Sequence, residues 1–195
     1  MILSKNTPPA KILSLFLGLS FVYAVLRYHI AGEVSWDQLP LYVMNKVFAL
    51  TIVLLLFYNV RFSGVLSIEK KEWYSWAILA LISGHILISL SLLSPEYYAK
   101  FFESGKMHFK NELSILFGIA TFIAFIASLL SSMKRNMKLA KKSRQVLLFL
   151  LAVHLFSMGF PGWVTPFKWY GSMPPISLIA FAVLLAIVFV KKKYS

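Results

Sequence analysis

Six long apolar runs, separated by short polar stretches, constrain this chain more than any other feature of its sequence. A bilayer's hydrocarbon core is about 30 Å thick, and a helix crossing it takes roughly 20 apolar residues. The runs cover about residues 11–30, 41–60, 73–93, 113–131, 146–160 and 176–190. Together they use up nearly all of the 195 residues, leaving no length for a soluble catalytic domain. The expected fold is therefore all-α, a single transmembrane domain over residues 1–195 built as a bundle of six spans. A mean hydropathy of +0.75 agrees with lipid as the main solvent. The first run is too long for a signal-peptide core and ends in Arg27, Tyr28 and His29 without a small-residue cleavage pattern. It reads as a retained helix.

The basic residues set the expected orientation, because Lys and Arg accumulate in cytoplasmic loops. Lys5 and Lys11 precede span one, and Arg61, Lys70 and Lys71 follow span two. Lys134, Arg135, Lys138, Lys141, Lys142 and Arg144 follow span four, and Lys191, Lys192 and Lys193 end the chain. These alternate regions hold 14 of the 20 basic residues, so both termini are expected in the cytoplasm. The other side carries Arg27, Lys100, Lys106, Lys110 and Lys168 with five of the seven acids, Glu33, Asp37, Glu96, Glu103 and Glu112. Trp36, Tyr97, Tyr98 and the segment from Phe160 to Pro175 also gather there, as an interfacial aromatic belt or a cap over a docking site. The net charge of +13 is explained by this topology, and nucleic acid is not expected as a partner. The expected location is the cell (inner) membrane, with lipid as the surrounding partner.

Chemistry inside such a bundle has few residues to work with. The chain has no cysteine, which excludes thiol relays, iron–sulfur clusters and thiolate-bound metals. No Asp or Glu falls within the six runs, so intramembrane acid–base catalysis and a complete zinc site both lack ligands. Ionisable groups at membrane depth are costly and point to function. Here they are His85 in span three, His154 in span five and Lys46 in span two, with Arg27 and His29 at the outer end of span one and His108 at the outer entrance to span four. His85 lies 12 residues past Trp73, about 18 Å along a helix, and His154 lies 10 past Arg144, about 15 Å along. Both spans run outward, so the two imidazoles reach one depth. Two neutral nitrogen ligands at one level on different helices suit the axial positions of a heme iron. Ser83 and Gly84 would leave room beside His85, and Leu151, Ser157 and Gly159 would give an apolar, partly small face near His154. Lys46 either snorkels to the headgroups or, with Arg27 and His29, meets the heme propionates. The opposing reading takes both histidines as structural, hydrogen-bonded across helices in a small transporter or an assembly or scaffold factor.

The stretches NKVFALTIVLLLFYNVRF (Asn45 to Phe62), WAILALISGHILISL (Trp76 to Leu90), LSILFGIATFIAFIASLLSS (Leu113 to Ser132) and RQVLLFLLAVHLF (Arg144 to Phe156) carry a resemblance. In order and in histidine placement they resemble the ferric-reductase-like transmembrane domain family, which includes the heme-binding membrane subunit of the periplasmic methionine sulfoxide reductase system. The resemblance spans roughly residues 40 to 160. It implies a six-helix heme b protein passing electrons across the bilayer, an oxidoreductase subunit with axial histidines at His85 and His154. Family members commonly carry a second histidine about thirteen residues before the one on span five; here that position is Lys141, so one heme is implied. The family's cytosolic flavin and nicotinamide domain is not expected on this chain. A separate cytoplasmic flavoprotein or membrane quinol would donate the electrons, with flavin or quinone residing on that partner and an outer-face redox protein accepting them.

Overall fold

A computed structural model describes residues 7–98 and 101–193, with side chains described as far as Phe189. Lys5 and Lys100, two of the basic residues that set the expected orientation, lie outside the described residues, as do the side chains of Lys191, Lys192 and Lys193. Six helices among the described residues are long and apolar enough to cross a membrane. The chain is a multi-pass membrane protein, and its described residues are all-α apart from one hairpin of two two-residue strands.

The helices are α1 (Pro9–Val25), α2 (Met44–Arg61), α3 (Ile68–Ser91), α4 (Phe109–Met133), α5 (Met137–Trp163) and α6 (Ile176–Lys193). Outward faces are strongly apolar: Leu87 is 66% exposed, Phe149 67% and Phe189 71%. Exposure of that size in one molecule would aggregate in water, and it is what a lipid-facing surface requires.

Several boundaries differ from the hydropathy reading, for reasons of capping. The Asn136 side chain accepts a hydrogen bond from the Leu139 backbone N–H at 3.1 Å, and α5 starts at Met137 rather than near residue 146. Lys138, Lys141, Lys142 and Arg144, expected in a loop, thus form the first turns of α5. Lys and Arg favour helix, and their charges end the apolar run without ending the helix. At its other end α5 carries Pro161 within its last turn and continues through Phe160 and Gly162 to Trp163, so this part of the expected outer loop is helical too. Ser67 caps α3 through the Lys70 backbone N–H, at 3.3 Å, which brings Glu69, Lys70, Lys71 and Glu72 into that helix. Glu112 likewise falls in the first turn of α4. The six helices therefore do contain acids, held at their ends.

The chain divides into two compact units. The first comprises Met1–Leu93 with Thr165–Ser195 and holds α1, α2, α3 and α6. Within it α2 is the central helix, packed against the other three. Its core gathers Ala24, Tyr28, Val43, Val47, Leu50 and Ile176 from the adjoining ends of α1, α2 and α6. Two π-helical turns, Leu26–Ile30 and Leu39–Val43, extend α1 and precede α2 at one end of this unit.

The second unit, Ser94–Val164, holds a short antiparallel hairpin, β1 (Phe102–Glu103) with β2 (Lys106–Met107), followed by the closely packed pair α4 and α5. Buried Ser114, Thr121, Ser128 and Ser131 recur along α4. Small and hydroxylic residues let helices approach closely where no hydrophobic effect pulls them together. Thr121 and Ser131 return their hydroxyl protons to the carbonyls of Phe117 and Ala127, so neither leaves a donor facing hydrocarbon.

Candidate functional site

His85 stands 17 residues after Ile68, the first residue of α3. His154 stands 17 residues after Met137, the first residue of α5. Each is therefore about 25 Å along its own helix. The expected distances of 18 and 15 Å were measured from residues that lie inside the helices, and the corrected starts bring the two intervals to the same value.

Each imidazole is tied to the helix that precedes its own. His85 Nδ1 lies 3.2 Å from the Asn45 carbonyl oxygen on α2, and His154 Nδ1 lies 2.8 Å from the Ser114 carbonyl oxygen on α4. In both cases the partner is 40 residues earlier. A carbonyl oxygen only accepts, so Nδ1 carries the proton in each ring, and the neutral ring has its lone pair on Nε2. This is the arrangement that fixes the tautomer and rotation of a metal-ligating histidine and raises its basicity.

The surroundings reinforce both bonds. The Asn45 amide donates to Ser89 Oγ at 2.9 Å, and the Ser89 hydroxyl donates back to Asn45 Oδ1 at 3.3 Å, locking α3 to α2 one turn beyond His85. Ser157 Oγ donates to the His154 carbonyl at 3.0 Å. Gly118 on α4 makes room for the ring of His154: a Cβ there would stand 3.1 Å from Cε1 and 3.2 Å from Nδ1. Gly84, expected to leave space for His85, instead admits Phe48, whose ring would meet an added Cβ at 3.1 Å. Gly159 is buried in α5. The sequence reading missed Asn45, Ser89, Ser114 and Gly118 as site residues; the signal that marks the two backbone partners is the repeated interval of 40 residues.

The three basic candidates all belong to the first unit and cluster about its two π-helical turns. Lys46 Nζ lies 4.9 Å from the Tyr42 ring centroid, and Tyr42 meets Tyr28 edge to face at 5.9 Å. Arg27 lies 5.6 Å from the ring centroids of both Tyr28 and Tyr170 and donates to the Met173 carbonyl. His29 stacks on Trp36 with centroids 4.3 Å apart and planes within 8°, and its Nδ1 lies 2.8 Å from the Val34 carbonyl. Lys46 follows Asn45 in sequence, so the same turn of α2 carries the partner of His85 and a cation. His154 belongs to the second unit, and His108 pairs there with Glu103 at 3.6 Å.

No cluster of three or more His, Cys, Asp or Glu side chains exists among the described residues, so nothing there resembles a multidentate zinc or di-iron site. No protein-family profile matches the chain, and no curated protein is significantly similar to it.

Proposed function

We propose that the protein is a membrane electron-transfer subunit for one heme b, which His85 and His154 would hold. The observation that carries this reading is the shared setting of the two imidazoles. Both stand at the same interval along their helices, and both give Nδ1–H to a backbone carbonyl 40 residues earlier, which directs the ligand lone pair to Nε2. The donor set fits a heme: two neutral nitrogens, with no thiolate in the chain and the acids of α3 and α4 confined to the starts of those helices. When bound, a heme b supplies reversible one-electron iron chemistry.

The chain's own residues would do the rest. The Asn45 and Ser114 carbonyls hold the rings in place, so ligation needs little reorganisation. Apolar helix faces exclude water and lower the local dielectric. Lys46, next to Asn45, would balance a propionate, whose charge needs a cation near the interface. Electrons would enter from a cytoplasmic flavoprotein or a quinol and leave to an outer-face acceptor. Both tails would lie in the cytoplasm of a cell-membrane protein, with the basic first turns of α5 offering an acidic donor a docking surface. This arrangement resembles the ferric-reductase-like transmembrane family.

A second reading takes the same two Nδ1–carbonyl bonds as ends in themselves, helix-to-helix ties in a non-enzymatic transporter, assembly or scaffold protein. Stoichiometry separates the two. Protein purified in detergent from heme-replete cells and assayed as the pyridine hemochrome is expected to hold one heme b per chain. A colourless, monodisperse preparation would leave the structural reading standing.

A further inference from the structure

One buried charge in the first unit has no countercharge. Arg27 is only 5% exposed, and no carboxylate lies within ion-pair distance of it among the described residues, although Glu33 and Asp37 follow closely in sequence. Its guanidinium has five N–H donors. One is given to the Met173 carbonyl, while the Nε–H is buried and has no acceptor. The flanking Tyr28 and Tyr170 rings offer their π faces, which attract the cation without accepting its fork of hydrogen bonds. The nearby Tyr23 hydroxyl is committed to the Pro174 carbonyl at 2.6 Å.

The frame around this charge is built rather than incidental. Arg27 lies in a π-helical turn, closed by the Ala31 N–H to the Leu26 carbonyl at 2.8 Å, and such turns are frequent at functional sites. Gly171, at φ 54°, brings the segment before α6 against that turn so closely that a Cβ would stand 2.6 Å from Ala31 Cβ. His29, two residues on, also has a buried Nε2 without a partner. Neutral carbonyls and aromatic faces line the setting, and none of them supplies the negative charge that a buried guanidinium attracts.

We propose that Arg27 anchors an oxyanion at this end of α1, a phosphate or carboxylate gripped by its unused N–H groups. Two sources have that chemistry: the phosphodiester of an anionic phospholipid, and the propionate of a heme. The lipid source is independent of the heme reading, and the propionate source rests on it.

The test compares wild type, Arg27→Gln, Arg27→Lys and Lys168→Gln, the last removing an exposed cation nearby in sequence to Arg27's aromatic neighbour Tyr170. In the first arm, delipidated protein is offered phosphatidylglycerol or diacylglycerol of the same acyl chains, and retained lipid is counted by native mass spectrometry. In the second, heme-depleted protein is titrated with heme and with heme dimethyl ester, which lacks free propionates. A lipid source predicts that wild type and Lys168→Gln retain phosphatidylglycerol over diacylglycerol, with retention roughly tenfold weaker in Arg27→Gln and intermediate in Arg27→Lys. A propionate source predicts that wild type prefers heme to its ester roughly tenfold and that Arg27→Gln loses the preference. Wild-type protein indifferent in both arms, or Arg27→Gln matching Lys168→Gln in both, would overturn the proposal. Because the wild-type comparisons alone decide against it, a variant that fails to fold does not protect it.

Discussion

Replacing either His85 or His154 with alanine is expected to abolish heme retention while leaving the helices folded. Each substitution would remove one of the two proposed heme ligands, and it removes one hydrogen bond to a carbonyl on the preceding helix. The lost bond costs about 1 kcal/mol of stability, a small part of what holds a helical hairpin together. Losing an axial ligand costs the cofactor much more, since a porphyrin held on one side dissociates readily in detergent. Heme content after size exclusion should therefore fall at least about tenfold in each variant, with the helical circular dichroism unchanged. The two losses should match, because each ring is tied by Nδ1 to a backbone carbonyl of the preceding helix. A variant of either residue that keeps its full heme complement would remove that residue from the ligand set.

The second large effect is expected at Gly118, where no chemistry is lost and only space is taken. A Cβ at this position would stand 3.1 Å from the His154 ring, closer than ordinary van der Waals contact allows. Valine adds two more methyl groups in the same direction. The ring must then turn away from the Ser114 carbonyl, losing the bond that sets its tautomer, or α4 and α5 must separate. Overpacking of this kind costs about 1–3 kcal/mol. Gly118→Val is expected to lose heme nearly as completely as His154→Ala. Gly18→Ala is the matched control: nothing lies within 4 Å of an added Cβ in the interior of α1, and alanine favours helix there by up to about 1 kcal/mol. Heme content and thermal unfolding of both variants check the contrast, and a Gly118→Val protein with wild-type heme would show that the His154 ring is not held as described.

Hydropathy alone made the six spans readable, because crossing hydrocarbon demands a length of apolar side chains that little else produces. It measured the hydrocarbon and not the helices. Lys138 to Arg144 lie in water-compatible helix, so the apolar run of α5 begins long after the helix does, and Asn136 is a cap that hydropathy ignores. That difference moved the apparent position of His154 along its helix and hid the matching 17-residue intervals of the two histidines.

The partners of the imidazoles were less accessible still. Every residue has a carbonyl, so nothing in the identity of Asn45 or Ser114 announces that its backbone accepts a ring N–H. Gly118 and Gly84 look alike in sequence; only helix packing shows that one faces His154 and the other Phe48. Arg27 was legible as an unusual charge near a membrane boundary. Its bond to the Met173 carbonyl, 146 residues away in the chain, and the Tyr170 face beside it lie beyond the reach of local pattern.

The most direct test of the heme proposal is the reduced-minus-oxidised optical spectrum of the purified wild-type protein. Two imidazoles on one iron predict a low-spin spectrum, with a Soret band and sharp α and β bands on reduction with dithionite, unchanged by carbon monoxide because no axial position is open. A featureless difference spectrum, from protein made in heme-replete cells and shown to be folded, would contradict the account.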